Sequence, residues 1–175
     1  MHALLRPLRF VSALGISLVI LATVAIAAHA DSGAPSWGPA TPNFNLQVIL
    51  QPVGGGPDGG SFGLVKFRQP KDAEKIVYLD VWVRDLAPNH SYLLQRAVDT
   101  NVNDDCSGTS WLTLGQGLVP QAITTDETGT GRANLFRSLP STLVGTKFDI
   151  HFRVIEAVTS AVVLESACYQ YTVSQ

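Results

Sequence analysis

Two histidines, two cysteines and a run of alternating Asp and Asn are the residues of this chain that could carry chemistry. His90 opens an apolar stretch, SYLLQRAV, and His151 lies in KFDIHFRVIEA. Imidazoles at strand positions are the usual ligands of copper and zinc, and they also serve as general bases. Between them, Asp99, Asn101, Asn103 and Asp105 present an oxygen donor at every second residue, as calcium loops do. Counted from Asp99, however, the positions that need Gly and Glu in an EF-hand hold Asp104 and Ser110. The stretch reads as a series of Asx-turns leading into Cys106, with a weak extracellular calcium site as the alternative. The letters GGSFG at 59–63 spell a nucleophile elbow, but that device needs a strand before the serine and a helix after it. Here a glycine-rich loop precedes Ser61 and a strand is expected after it, so the match is one of spelling. Asp104, Asp105, Asp126 and Glu127 could supply acid catalysis, yet turn chemistry accounts for all four.

The compartment follows from the first 30 residues. Arg6 and Arg9 precede an apolar run, and Ala28-His29-Ala30 places small residues before Asp31. This is the pattern of a secretory signal peptide cleaved after Ala30, with an uncleaved anchor as the alternative. Removing it would leave 145 residues with 10 Lys and Arg against 14 Asp and Glu, and only His90 and His151 among histidines. A mildly acidic chain without a basic cluster argues against nucleic acid and anionic membranes as partners. In an exported protein, Cys106 and Cys168 are expected to form a disulfide, the alternative being two reduced structural thiols.

The elements that must position these residues are strands. Residues 31–43, rich in Pro, Gly and Ser, read as a flexible lead-in, and a single domain is expected over 44–175. Val77, Leu79, Val81 and Val83 alternate with Tyr78, Asp80, Trp82 and Arg84. Phe148, Ile150, Phe152 and Val154 alternate likewise with Asp149, His151 and Arg153. Period-two alternation is the mark of a half-buried strand, and no apolar period of 3.6 is sustained after residue 43. About eight strands with turns at short spacing predict an all-β fold, a Greek-key antiparallel sandwich or flattened barrel with one disulfide.

The order of features resembles the Cu/Zn superoxide dismutase fold and its metal-free relatives such as chordin-type domains. A Leu-x-Pro-x-His turn runs from Leu86 to His90, and its strand leads to Asp99 and the loop cysteine Cys106. A D-x-x-G-x-G hairpin spans 126–131, a Gly-x5-His segment runs from Gly145 to His151, and Ala167-Cys168 lies in the last strand. The resemblance covers roughly 63–173. It implies two copper histidines where this chain has Leu93 and Gln95, and further histidines in a loop, 106–121, that contains none. It assigns His151 to a copper position, His90 to a structural one, and an arginine to the position of Glu165. The single methionine is Met1, so thioether ligands are missing as well. One or two imidazoles cannot hold a redox copper.

The expectation is therefore a secreted or cell-envelope module without cofactor or enzymatic activity, which binds an extracellular protein or surface ligand or serves a structural role. Trp111 in its loop and the Trp82/Tyr78 strand face are the first places for recognition. The alternative is a reduced site for copper at His151 or His90, or for calcium at Asp99, Asn101, Asn103 and Asp105.

Overall fold

Alternating β-branched and polar residues set the architecture, because a strand with one oily face must lay that face against another. The computed structural model describes residues 44–54, 60–70 and 73–174. The expected signal peptide (1–30) and lead-in (31–43) lie outside these residues. Three long antiparallel strands open the domain: β1 (Phe44–Pro52), β2 (Phe62–Gln69) and β3 (Ile76–Arg84). β4 (Ser91–Asp99) follows, then the short pieces β5 (Leu112–Thr113), β6 (Gly115–Gln116), β7 (Val119–Pro120) and β8 (Ala122–Thr124). The chain ends in β9 (Gly131–Ser138), a 3-10 turn at Ser141–Leu143, β10 (Lys147–Glu156), β11 (Val162–Ser166) and β12 (Tyr169–Thr172).

The pairing order is β5-β4-β10-β11-β1-β2-β3-β9-β6-β7, with β12 also on β10 and β8 also on β4. A bridge between Thr125 and Gly131 joins the end of β8 to the start of β9. The sheet is thereby nearly closed into a barrel. Its interior is apolar: Val48, Leu50, Val65, Val83, Leu94, Ile123, Phe152, Val154 and Leu164 are fully buried. Both period-two expectations hold. Val77, Leu79, Val81 and Val83 face inward, and on β10 Ile150, Phe152 and Val154 do the same while His151 and Arg153 point out.

The all-β fold and the disulfide are as expected. Twelve strands are present among the described residues where about eight were read, and the difference lies largely between residues 112 and 120. β5, β6 and β7 pair over two residues each, a length too short to leave a periodic signal. The last expected strand is broken in two. After Ser166 the chain leaves β10, the Ser166 hydroxyl accepts the Phe152 N–H at 2.9 Å in place of a ladder bond, and β12 resumes at Tyr169. That break presents Cys168 to the loop above.

The 126–131 hairpin forms as its letters imply. Asp126 Oδ1 accepts the N–H groups of Thr128 and Thr130 at 2.8 and 3.0 Å. Gly129 takes φ +76° with its Cα so close to the Leu86 carbonyl that a Cβ would sit 2.1 Å from it.

Candidate functional site

Three successive outward side chains of β10, Asp149, His151 and Arg153, reach up into the loop between β4 and β5. Asp149 is fully buried, and its Oδ2 accepts the N–H groups of Asn103 and Asp104 at 2.7 and 2.9 Å. Asp104 is left-handed, φ +64°, so two successive amides turn toward one carboxylate oxygen in the manner of an anion nest. The other oxygen, Oδ1, is buried without a hydrogen bond. His151 Nε2 lies 3.0 Å from the Gly108 carbonyl. A carbonyl only accepts, so this bond exists with the proton on Nε2, which removes that nitrogen from coordination. The Trp111 ring then stacks 4.5 Å from the His151 ring, and the Arg153 guanidinium lies 3.9 Å from the Trp111 centroid on a cation–π contact. The Cys106–Cys168 disulfide, with Cα atoms 5.4 Å apart, ties the same loop to the break between β11 and β12.

A polar row continues from Arg153 across the strands. Register places Gln51, Glu165, Arg153, Gln95 and Thr113 side by side on β1, β11, β10, β4 and β5. Arg153 Nε donates to Gln95 Oε1 at 2.8 Å, and Gln95 Nε2 donates to Thr113 Oγ1 at 3.0 Å. Gln95, which the resemblance puts where a copper ligand would stand, is thus an amide relay between Arg153 and β5. The imidazole, amide and guanidinium are all engaged with one another or with the loop backbone.

The remaining sequence candidates are not brought together. His90 lies at the opposite end of β4 from His151, which pairs with Ala97, so roughly 20 Å of strand separates them. Its backbone N–H is bound by Thr125 Oγ1 at 3.0 Å, and its ring lies near Tyr92. Asp99 and Asn103 make Asx-turns, accepting the N–H groups of Asn101 and Asp105 at 3.1 Å each, and Asp99 Oδ2 also takes the Ser107 hydroxyl at 2.7 Å. Those hydrogen bonds hold the Asp99 carboxyl below its ordinary value, the Ser107 hydroxyl contributing most. Among the described residues, no three His, Cys, Asp or Glu side chains gather in a way that could hold a metal ion. Ser61 is followed by β2 rather than a helix, and its hydroxyl donates to the Asp85 carbonyl at 2.8 Å.

On the outer face of β2, β3 and β9 the second expected region is built around Trp82. Phe62 meets it edge-on at 6.1 Å, and the guanidiniums of Arg84 and Arg132 lie 5.8 and 6.0 Å from its ring. Its indole Nε1 is buried without a partner. Tyr78 pairs directly with Arg68, whose guanidinium lies 3.6 Å from the carboxylate of Asp80, two residues along β3.

Sequence reading missed the role of Asp149. A carboxylate at an outward strand position looks solvated, and only its nearness to Asp99 across the ladder hinted otherwise. Like charges directly opposite repel, so one of the two must find other partners. No family model matches the sequence, and the comparisons with curated proteins and with solved structures return no match either.

Proposed function

We propose that this chain is an exported, non-enzymatic binding or structural module, built on a Greek-key barrel of about eight principal strands that resembles the Cu/Zn superoxide dismutases without their metals. Supporting the Greek-key reading, β3 has β9 and not β4 as its neighbour, while β4 crosses over to pair with β10 and β8. A disulfide across the loop fits an oxidising compartment.

The observation that carries the functional reading is the engagement of the β10 side chains. Asp149 Oδ2, His151 Nε2 and the Arg153 guanidinium face the 100–111 loop and hold it, His151 standing where the resemblance would call for a copper ligand. The loop is positioned by protein groups, and the Nε2 of His151 is committed to the Gly108 carbonyl. What such a barrel offers a partner is its aromatic and arginine-bearing outer face around Trp82.

Metal analysis and superoxide turnover of the protein, purified without chelator, test this reading. Metal well below one equivalent, a melting temperature unmoved by EDTA, and turnover at the level of buffer are the expected results. One equivalent of copper that disappears in His151→Ala, or of calcium that disappears in Asp99→Ala, would overturn it in favour of a reduced metal site.

A further inference from the structure

The inward-facing positions of β4 read Tyr92, Leu94, Arg96, Val98, and those of β9 read Gly131, Ala133, Leu135, Arg137. Two guanidiniums therefore stand in rows that otherwise supply the core. Register sets Arg96 opposite the fully buried Phe152, and Arg137 opposite Val77. Both line one cavity of about 80 Å³ at the barrel end where β4 and β9 finish. The other twelve lining side chains are aliphatic or aromatic, among them Phe67, Leu143 and Phe148.

Among the described residues, no carboxylate forms an ion pair with either cation: the ion pairs are Arg68–Asp80 and Arg84–Asp85, and neither involves this cavity. Arg137 Nη1 donates to the Gly117 carbonyl at 3.2 Å, and no hydrogen bond from the Arg96 side chain is made to the described residues. Burial, and secondarily the charge of Arg137, depress the affinity of Arg96 for its proton. Two like charges in an apolar wall are costly unless an anion joins them. Departures from pattern of this kind are where function is expected.

We propose that this end of the barrel binds a small amphiphilic carboxylate, its head held between Arg96 and Arg137 and its short hydrocarbon body in the apolar cavity. Guanidinium forks match a carboxylate in both charge and geometry. An apolar cavity of roughly 150 Å³ accepts a benzene ring. The volume here thus suits a body of a few carbons, with the rest of the molecule at the mouth. The site is on the inside of the barrel, on the opposite face of β4 and β10 from the loop clamp, and does not depend on the functional reading above.

Titration calorimetry of the protein with hexanoate tests the proposal, with 1-hexanol, hexylammonium and acetate as matched probes. Hexanoate is expected to bind one site saturably, 1-hexanol about tenfold or more weakly, and hexylammonium and acetate not measurably. Arg96→Met and Arg137→Met should each weaken hexanoate about tenfold or more, while Arg96→Lys retains most of the affinity. Val77→Phe, which fills the cavity and keeps both arginines, should abolish binding and serves as the second variant if an arginine variant fails to fold. Absence of saturable hexanoate binding, equal affinity for hexanol, or binding unchanged by Val77→Phe or by the folded arginine variants would each overturn it.

Discussion

Asp149 shows how a single side chain can replace what a bound ion would do for a loop. One oxygen gathers the amides of Asn103 and Asp104, and removing it leaves two part-buried N–H groups without that acceptor. Asp149→Ala is expected to cost about 1.5–3 kcal/mol, the usual worth of hydrogen bonding to a charged group. Asp149→Asn keeps the acceptor and relieves the repulsion from Asp99, so its loss should be the smaller, under about 1 kcal/mol. Urea denaturation of the two variants checks both values, and an Asn variant as unstable as the Ala variant would refute the nest. Some of this was legible in the residues themselves. The cysteines and the outward placement of His151 could be read; Asp149 could not, because its partners are backbone groups of a loop whose path no period encodes. Trp111 was singled out as an aromatic in a loop, but its stack between His151 and Arg153 depends on tertiary register.

At the scale of elements, the long strands were readable and their joints were not. β3 follows its alternation residue by residue and β10 does so from Ile150 to Val154, whereas the break between β11 and β12 rests on one serine hydroxyl standing in for a ladder bond. The disulfide sits at that break. Cys106 and Cys168 are 62 residues apart, and opening the bridge should cost about 4 kcal/mol on the chain-entropy model. Cys106→Ala/Cys168→Ala is expected to lower the denaturant midpoint accordingly. Hydrogen exchange should locate the local part of the loss: amides of 100–111 should speed up most, while those of β2 and β3 keep their relative protection. Uniform acceleration across all strands would mean that the bridge acts on the barrel as a whole and not chiefly on the loop.

Acid response is a property of the whole molecule, because carboxylates at three separate turns share one physical cause. Asp126 is held below its ordinary value of 3.8 chiefly by the Thr128 hydroxyl, Asp99 below 3.8 by the Ser107 hydroxyl, and Glu156 below 4.5 by the Thr159 hydroxyl. Each binds its proton more weakly folded than unfolded. Their contribution is complete above those ordinary values and fades as pH falls through the lower, folded ones. Thermal midpoints recorded from neutral pH downward should therefore hold until roughly pH 4.5 and then drop. Thr128→Val should flatten the drop, and an unchanged profile would show that the Asp126 turn contributes nothing. At the alkaline end, burial raises the Tyr171 phenol above its ordinary 10.0, so stability should fall again as pH rises beyond that value.

The pairing of β1 with β11 has a bearing on how the molecule comes into being. Leu50, Gln51 and Pro52 of β1 pair with Ser166, Glu165 and Leu164 of β11, so the first strand waits for nearly the last. Pairings so distant along the chain are slow to form and leave hydrogen-bonding edges open meanwhile. A polypeptide emerging from a ribosome or a translocation channel N-terminus first can assemble β1, β2 and β3 early, yet β1 keeps one bare edge until β11 arrives. The final shape is therefore reached only after the chain is fully delivered, and in that interval an exposed β1 is the segment most in need of a chaperone.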